Sequence, residues 1–293
     1  MGTLFLVATP IGNLEDLTLR ALRVLREARL IAAEDTRHTR ILLQRYEITT
    51  PCIAYHEHNK LTRQADILAA LALGDVALVS DAGTPALADP GFELVRACIE
   101  AGFAVSPIPG PSALLAALVA SGLPSDRFVY VGFLPRQASE RRALVSAMAD
   151  FTMTMVCFET PHRLRESLVD LLTILGDRRV VVASELTKRF EELRRGSLSE
   201  LVAHFEQHNP RGEYTLVLEG RQVGQRKRDR TKLQATPADS VAPSEAEILQ
   251  RLSVLRDQGQ SGSAAARMVA RELGLQKSQV YALWLQQDAE MRK

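Results

Sequence analysis

The most chemically suggestive stretch of the sequence is GDVALVSDAGTPALADPG, residues 74–91, in which polar residues directly follow an apolar run. The run Val76–Val79 predicts a buried strand, because consecutive apolar residues suit a strand that is covered on both faces. Asp81, Gly83 and Thr84 follow it. A glycine allows a close approach of the backbone to a ligand, and a carboxylate at a buried strand end requires partners. Ribose hydroxyls, a cationic ligand or nearby backbone amides would serve.

Two further strand ends carry polar residues of other types. TPIGN, after the first predicted strand, makes a tight turn, and backbone amides at such a helix start can hold an anion. The turn matches neither G-x-G-x-x-G nor G-x-x-x-x-G-K-[ST], so a phosphate-bearing nucleotide cofactor is poorly supported. EDTRHTR, after the second strand, contains Arg37 and Arg40, whose guanidinium groups suit phosphate oxygens. A solvated helix start is the alternative explanation.

A third strand end reads YHEHN, residues 55–59. His56 and His58 would share a face of a continuing strand, but a metal site needs a third ligand and the sequence names none, so no metal is predicted. Glu57, His58 and Asn59 are candidates for handling a proton or contacting ribose. The alternative is structural, since Asn59 suits the position that caps a helix from residue 60 onward.

These loops meet at one edge of a sheet if the strands between them run parallel. Short apolar runs alternate with segments of helical period, which predicts an α/β fold with a mostly parallel sheet. Ligands of such sheets bind beyond the carboxyl ends of the strands. A helix is predicted over residues 89–101, since Asp89 can cap it, Pro90 fits its first turn and Gly102 can end it. The predicted strands here are 3–8, 29–33, 52–55, 75–80 and 103–108.

A second α/β part follows an irregular connection at residues 107–111, after which Ser112 is predicted to cap a helix. Its apolar runs are separated by segments of helical period, as in the first part. The predicted strands of this part are 127–133, 152–158, 178–184 and 213–220, and its predicted helices include 139–149, 161–174 and 197–207.

The last part of the chain differs in charge. The chain has a net charge of +1, but residues 219–293 contain 13 Lys and Arg against 9 Asp and Glu. Residues 221–243, which include the basic run 226–232, predict a flexible linker. Two helical segments separated by a turn at Gly274 predict an all-α, helix-turn-helix-like domain over residues 244–293. A polyanion such as RNA suits this basic end, although a helical cap without a ligand has the same outline.

The three cysteines, Cys52, Cys98 and Cys157, lie far apart in apolar runs. This spacing predicts buried reduced thiols rather than disulfides, and hence a cytoplasmic location. The longest apolar run, residues 113–120, is too short to cross a membrane, and the first residues lack the basic leader of a signal peptide.

Together the motifs are far more specific than any one of them. In order along the chain they are TPIGNLEDLTLRAL, AAEDTRHTRILL, YHEHN, VSDAGTPALADPG, PGPSALLAALVASGLP, YVGFLPR, FETPHRL, SELTKRFEE and RGEYTLVLEG. From about residue 3 to residue 220 this series resembles the ribosomal RNA small subunit methyltransferase I family, within the tetrapyrrole (class III) methylase superfamily. Residues 244–293 resemble the C-terminal helix-turn-helix domain of that family.

The resemblance implies a fold, a reaction and partners. The fold would consist of two α/β domains, residues 1–109 and 110–220, with S-adenosyl-L-methionine (SAM) bound in the cleft between them. The reaction would be methyl transfer from SAM to the ribose 2′-oxygen of a cytidine in the decoding region of 16S rRNA, within the small ribosomal subunit. The resemblance also implies a homodimer, and no membrane partner is expected.

The resemblance assigns roles to particular residues as well. The donor pocket would be formed by Pro10, Asp81, Ala82, Gly83, Thr84, Ser112, Ala113, Phe158, Glu159, Leu186, Gly212 and Glu213. The turns at Pro10–Asn13 and Asp35–Arg37 are then free for RNA, and the residues predicted to contact RNA are Asn13, Asp35, Arg37, Arg40, Asn59, Arg136, Arg163 and Lys188. From the chemistry of the residues rather than from the resemblance, Glu57 or His58 is the candidate to accept the proton of the 2′-hydroxyl. The alternative is that positioning alone suffices and that these two residues only bind RNA. SAM carries no phosphate, which agrees with a loop of Asp, Gly and Thr that lacks a phosphate motif.

One position departs from the family pattern, in which an arginine usually precedes ELTK, because this chain has Ser184 there. If that arginine holds RNA or a carboxylate, Lys188 or Arg189 would have to replace it.

Two other functions stay open. A methylase of a tetrapyrrole or another small metabolite would leave the helix-turn-helix end without a role. A non-catalytic RNA-binding protein would not need the intact SDAGTP and PGPSA loops.

Overall fold

The computed structural model describes residues 2–222, 244–273 and 275–291. The chain separates into two compact units, residues 1–225 and 226–293. The first unit holds two five-stranded sheets among its described residues, and the second holds three helices. This arrangement confirms the predicted fold class, an α/β protein with an all-α C-terminal part. The finer division of the first unit near residue 109 stays a prediction.

The first sheet is parallel throughout, with strand order β3-β2-β4-β1-β5. Its strands are β1 (Thr3–Val7), β2 (Leu30–Ala33), β3 (Cys52–Ala54), β4 (Val76–Val79) and β5 (Ala104–Ile108). The helices between them are α1 (Leu19–Glu27), α2 (Thr36–Arg45), α3 (Lys60–Leu73) and α4 (Phe92–Glu100). Since β4 lies at the centre and is buried along its whole length, it needs the continuous apolar run that its sequence supplies.

The register of the first sheet aligns the carboxyl ends of its central strands. Leu6 pairs with Leu78, and Ala33 pairs with Val79, so β1, β2 and β4 end side by side. One apolar cluster packs Val79 against α1 and α2, and another packs Leu78 against α3 and α4. Both faces are therefore covered, and the polar loops after these strands open at the same edge.

The second sheet is mixed, with strand order β6-β7-β10-β8-β9. Its strands are β6 (Phe128–Phe133), β7 (Thr154–Glu159), β8 (Arg179–Ser184), β9 (Glu192–Ser197) and β10 (Tyr214–Leu218). Its helices are α5 (Ala113–Ser121), α6 (Ala138–Ala147), α7 (Leu164–Leu175) and α8 (Leu198–Gln207). Strands β6 and β7 are parallel, whereas β10 runs antiparallel to both β7 and β8. The side chain of Ser112 caps α5, as predicted.

The structure corrects three local predictions. Strand β9 was missed, because ELRRGS has no apolar run and forms the edge of its sheet. Helix α4 begins at Phe92, with Gly91 rather than Asp89 at the capping position, and the left-handed residues Ala86 and Ala88 (φ +66° and +65°) turn the chain before it. The side chain of Asn59 does not cap α3. It accepts from the His56 amide (2.8 Å) and donates to the Ala54 carbonyl (3.1 Å).

The C-terminal unit is a cluster of three helices, α9 (Glu245–Asp257), α10 (Gly262–Leu273) and α11 (Lys277–Met291). Their core includes Leu252, Val269, Val280 and Trp284. Gly262 lies so close to the Trp284 indole that a Cβ there would collide with it. The predicted Gly274 turn, and all of the predicted linker 221–243 except its first two residues, lie outside the described residues. Among the helices that are described, none has the length and apolarity to cross a membrane.

Candidate active site

Loops from both sheets of the first unit enclose a cavity of about 260 Å³, called here the first cavity. Residues from the ends of β2 and β4, from the start of α5 and from β6, β7, β8 and β10 line it. Among the residues predicted to bind the methyl donor, those that line it are Asp81, Ala82, Gly83, Thr84, Ser112, Ala113, Phe158, Leu186 and Glu213. The structure thus gathers residues from five separate motifs around one space. Their contact with a donor stays a prediction.

The loop after β4 is fixed in place by its backbone. Thr9 and Gly83 exchange two backbone hydrogen bonds, of 2.8 and 2.9 Å, which tie this loop to the end of β1. Gly83 has φ +78°, a left-handed conformation that favours glycine. The hydroxyl of Thr84 donates to the carbonyl of Pro111 at 3.3 Å. These contacts hold the Asp81–Thr84 segment beside the start of α5.

Further along this loop, Asp89 lines the first cavity, a role that its interpretation as a helix cap missed. The left-handed residues Ala86 and Ala88 precede it, and each such residue costs on the order of 1–2 kcal/mol. Burial, and after it the nearby carboxylate of Glu34, raises the pKa of Asp89 to about 7. A hydrogen bond from Ser80 lowers this pKa and so opposes part of the shift. The sequence contains only a weak indication that Asp89 lines a cavity, since alanine residues do not predict a left-handed turn.

Carboxylates dominate the polar wall of the first cavity. Glu34, Asp81, Asp89 and Glu213 all line it. Burial raises the pKa of Glu34, and Asp81 contributes in both directions, since its backbone amide lowers that pKa while its carboxylate raises it. Lys188 also lines the cavity, with its ammonium 3.0 Å from a carboxylate oxygen of Glu185. This wall suits a ligand that carries positive charge.

The opposite character is found at the second sheet, where aromatic and aliphatic side chains form an apolar wall. Phe133 and Phe158 line the first cavity with ring centroids 5.5 Å apart, and Tyr130 packs edge-on against Phe158 at 5.4 Å. Leu186 adds an aliphatic contribution. A flat heteroaromatic ring fits such a wall, because aromatic rings stack on one another favourably.

The turn after β1 approaches the loop after β8 closely. A Cβ at Gly12 would lie 2.5 Å from Cγ of Lys188 and 2.8 Å from the carbonyl oxygen of Leu186. Gly212 is similar, since a Cβ there would collide with the carboxylate of Glu185. These two glycines therefore leave room for the loops around the first cavity. Gly212 does not line the cavity itself, but its missing side chain makes space for Glu185, which does.

Two other predicted donor contacts have different surroundings. Pro10 lines a second cavity rather than the first. Glu159 is completely buried, and its carboxylate lies 2.6 Å from the Arg163 guanidinium and accepts from the hydroxyl of Ser167. Arg163, predicted to contact RNA, also donates to the Leu134 carbonyl at 2.8 Å. The Glu159–Arg163 pair thus supports the end of β7 from inside.

Neither predicted proton acceptor lies at the first cavity. Glu57 is exposed, and its carboxylate oxygen lies 2.7 Å from the ammonium of Lys60. His58 is exposed as well, with its ring centroid 6.0 Å from that of His56. Strand β3 ends at Ala54, so the two histidines do not share a strand face. The positions of Glu57 and His58 argue against their predicted role.

The second cavity, of about 250 Å³, adjoins the first. Ile11, Asp81 and Ala82 line both cavities. One carboxylate oxygen of Asp81 accepts from the Asp35 amide at 2.9 Å, and the other lies 3.2 Å from Nδ1 of His38. The carboxylate of Asp81 therefore stands at the boundary between the two spaces.

The residues predicted to contact RNA are spread over several surfaces. Asp35 caps α2, and its hydrogen bonds from the Arg37 guanidinium hold the pKa of its carboxyl well below its usual range. Arg40 on the same helix is exposed. The side chain of Asn13 is exposed and accepts from the Glu15 amide at 3.1 Å. Arg136 is also exposed, whereas Lys188 is the member of this group that reaches the first cavity.

Comparisons with known proteins show which fold this chain has. The family model for Tetrapyrrole (Corrin/Porphyrin) Methylases matches residues 3–202. A solved structure of diphthine synthase covers 80% of this chain and 96% of its own at a TM-score of 0.61 with 14% identity. Uroporphyrin-III C-methyl transferase from Thermus thermophilus, complexed with S-adenyl homocysteine, covers 74% and 97% at a TM-score of 0.53 with 22% identity. These likenesses show the fold.

Relatives of higher identity decide the family. Ribosomal RNA small subunit methyltransferase I of Synechocystis sp. is 47% identical over 292 residues, which are 99% of this chain and 100% of that protein. The protein of the same name from Escherichia coli O157:H7 is 43% identical over 98% of this chain and 96% of its own length. This chain belongs to the ribosomal RNA small subunit methyltransferase I family. It is therefore a methyltransferase, and the predicted resemblance is confirmed.

Members of the ribosomal RNA small subunit methyltransferase I family differ in length. The Thermotoga maritima member is 48% identical over 223 residues, which are its whole length but 76% of this chain. A quarter of this chain thus has no counterpart in that protein. The family model, which ends at residue 202, lies entirely within the unit that contains both cavities.

Proposed function

We propose that this protein transfers a methyl group from SAM to the ribose 2′-oxygen of a cytidine in 16S rRNA of the small ribosomal subunit. The observation that carries the proposal is the first cavity, which carboxylates and aromatic side chains line together in a chain of this family. The relatives' names point to ribosomal RNA as the acceptor. The choice of the 2′-oxygen and of cytidine rests on the resemblance of the motifs to the family. A homodimer in the cytoplasm is part of the same proposal.

The residues of the first cavity fit SAM group by group. Phe133 and Phe158 offer apolar faces to an adenine. The carboxylates of Asp89 and Glu213 suit the sulfonium and ammonium charges. Ser112 stands at the start of α5, where free backbone amides suit a carboxylate.

The chain's contribution to the reaction is mainly one of position. When bound, SAM supplies a methyl group on a positively charged sulfur, which is reactive without further activation. Holding the two reactants in line is worth up to about 7–11 kcal/mol of the barrier. The close approach of the Gly12 turn to Leu186 and Lys188 leaves little space between the loops beside the cavity.

The first experiment is methyl incorporation from labelled SAM into purified small ribosomal subunits, naked small-subunit rRNA and a tetrapyrrole precursor, offered in parallel. We expect label in ribosomal RNA, at a single cytidine whose 3′ linkage resists alkali because its 2′-oxygen is blocked. Label in the tetrapyrrole alone would make the protein a small-molecule methylase instead. Binding of SAM without transfer to any of the three would refute the proposed substrate but not the donor site.

A further inference from the structure

The first and second cavities meet at a common wall. Ile11, Asp81 and Ala82 line both, and the Asp81 side chain is about one-third exposed. If the first cavity holds the methyl donor, the methyl acceptor has to approach it from an adjoining space. The second cavity is such a space. The inference below therefore rests on the proposed function.

The second cavity combines the two kinds of surface that a nucleoside needs. Leu14, Ile41 and Leu42 give it apolar sides, against which the face of a base can pack. Thr9 and His38 give it polar groups. Enzymes that act on a nucleotide commonly take it out of its stack into a pocket of this mixed character, because the reacting atom is otherwise out of reach.

Positive charge lies beside the second cavity. Helix α2 supplies its lining residues His38, Ile41 and Leu42, and the same helix carries Arg37 and Arg40 on its exposed surface. The side chain of Arg37 is 86% exposed although it is paired with Asp35. A nucleoside that enters the second cavity as part of a strand would place its flanking phosphates near this helix, and arginines are the side chains best suited to phosphate oxygens.

We propose that the second cavity binds the acceptor nucleoside with its ribose at the common wall, and that Asp81 accepts the proton of the hydroxyl that is methylated. In the transfer, the ribose 2′-oxygen forms a bond to the methyl carbon. The bond from that carbon to sulfur breaks, and its electron pair stays on sulfur. The hydroxyl proton passes to the Asp81 carboxylate, and from there to solvent.

The surroundings of Asp81 suit this role. The Asp35 amide and Nδ1 of His38 hold one carboxylate oxygen each, at 2.9 and 3.2 Å, which fixes the orientation of the carboxylate. Each oxygen keeps a further lone pair for a ribose hydroxyl. Asp81 is thus the catalytic residue, and His38, which acts through it, is a positioning residue.

The second cavity is tested by filling it. Ile41→Trp puts a bulky side chain into the cavity from a residue that is 58% exposed, and the matched control Ile99→Trp changes a residue on α4 that is 62% exposed and lines neither cavity. We expect Ile41→Trp to keep SAM affinity within about twofold, to weaken binding of small-subunit rRNA to the donor-free protein, and to slow methyl transfer by about 100-fold or more. The control should match the wild type in all three.

Two results would overturn the cavity assignment. One is transfer by Ile41→Trp within about threefold of the wild-type rate. The other is loss of SAM binding in Ile41→Trp, which would make the second cavity part of the donor site. A wild-type protein that binds no SAM, or that methylates only the tetrapyrrole, contradicts the proposed function instead, so the two failures are distinguishable.

The role of Asp81 is tested with Asp81→Asn, which keeps the shape of the side chain but removes its negative charge. At saturating SAM we expect the single-turnover rate to fall by about 100-fold or more, the size of effect that general-base catalysis supplies. Affinity for small-subunit rRNA should stay within about threefold, and the melting temperature should show a folded protein. A single-turnover rate above one-third of the wild-type value would exclude Asp81 as the proton acceptor.

The positioning role of His38 has its own readout. At saturating SAM and RNA, His38→Ala should lower the single-turnover rate by about tenfold, and His38→Gln, which can still donate to Asp81, should restore most of the rate. In Asp81→Asn the same His38→Ala change should have no further effect, because the residue it positions is already lost. Additive losses in the double variant would show that His38 acts independently of Asp81.

Discussion

At the scale of single residues, the chemistry of the first cavity is set by like charges that folding brings together. Burial, and after it the nearby carboxylates of Glu34, Asp81 and Glu213, makes the ionisation of Asp89 more difficult. Such an arrangement costs stability in the free protein. A cationic ligand relieves that cost on binding, which is a reason for an enzyme of this kind to tolerate it.

Asp89→Asn should make the protein more stable at high pH. The pKa of Asp89 is raised to about 7 in the folded state, against about 3.9 in an unfolded chain, so the wild type loses stability as the pH rises from about 4 to about 7. The variant lacks this loss. At pH 8 we expect it to be more stable by about 1–2 kcal/mol, after discounting for solvent screening, and to match the wild type near pH 4. Urea unfolding at both pH values measures this.

The control for Asp89→Asn is Asp126→Asn, which removes a carboxylate that is 74% exposed. Its stability difference from the wild type should be small and should not follow the pH dependence expected of Asp89→Asn. A stability difference for Asp89→Asn that is equal at pH 4 and pH 8 would show that Asp89 ionises normally in the folded protein.

Phe158→Ala should weaken SAM binding without unfolding the protein. Phe158 is part of the apolar wall of the first cavity, and the loss of stacking between an aromatic side chain and a base costs about 1–3 kcal/mol. Titration calorimetry with SAM measures the change. Phe92→Ala is the matched control, since Phe92 is 66% exposed on α4 and lines neither cavity. Equal affinities in the two variants would place the adenine elsewhere.

At the scale of secondary-structure elements, α6 and α7 are joined by a buried ion pair. Arg141 on α6 is 2% exposed, and its guanidinium lies 2.8 Å from a carboxylate oxygen of Asp170 on α7, while Arg142 lies 2.7 Å from the other oxygen. Burial raises the pKa of Asp170, but the hydrogen bonds from Arg142 and Arg141 outweigh it and the net pKa is lowered. The carboxylate is therefore ionised at neutral pH and supports two arginines.

Asp170→Ala should destabilise the protein by about 3–5 kcal/mol, because it leaves the Arg141 charge buried without its main partner. Urea unfolding at pH 7 measures this. The control is Glu100→Ala, which breaks a surface pair with Arg96 and should cost no more than about 0.5 kcal/mol. Because the pKa of Asp170 is lowered, its contribution should disappear as the pH falls through that value, and wild type and variant should converge in acid. A variant as stable as Glu100→Ala would show that Arg141 finds water or another partner.

The elements that could be predicted from the sequence are those with a local signal. Strand β4 is found because its four residues are apolar, and α5 because Ser112 precedes an apolar helix. Strand β9 carries no such signal, since its pairing with β8 depends on the rest of the sheet. The predicted start of α4 was wrong because Ala86 and Ala88 adopt left-handed conformations, which alanine rarely adopts and which the local sequence does not signal.

Some features of the site could likewise be predicted from the sequence, and others could not. The loops after β1, β2 and β4 could be predicted to meet, because parallel strands end at one edge. The contribution of Glu34 and the approach of Gly12 to Leu186 could not, since both depend on how loops from different parts of the chain pack together. Glu57 and His58 lie in the predicted segment but do not line the first cavity, and their role as proton acceptors stays an untested prediction.

At the scale of the whole molecule, the two units differ in composition and in distribution among relatives. Both cavities lie within residues 1–225, and the Thermotoga maritima relative matches only 76% of this chain with its entire length. The relatives from Synechocystis sp. and Escherichia coli match nearly all of it. Residues 219–293 carry the excess of positive charge. Both cavities are thus lined by residues of the first unit alone, and we expect the basic end to contribute to RNA binding rather than to donor binding.

A chain that ends at Gln225 should therefore bind SAM within about twofold of the full-length affinity but bind small-subunit rRNA more weakly, because it lacks the basic residues of the last unit. The dependence of RNA affinity on salt concentration separates the electrostatic part of binding from the rest. Each phosphate contact that is lost lowers the slope of log K against log salt by about 0.9 in duplex regions and about 0.7 in single strands.

A full-length variant with the five basic residues of 226–232 changed to glutamine is the matched control for this truncation. If the basic run alone is responsible, both proteins lose the same slope. If the three-helix unit also contacts RNA, the truncation loses more affinity at high salt, where the electrostatic part is screened. Loss of SAM binding in the truncated chain would contradict both expectations, since it would make the last unit a structural support of the donor site.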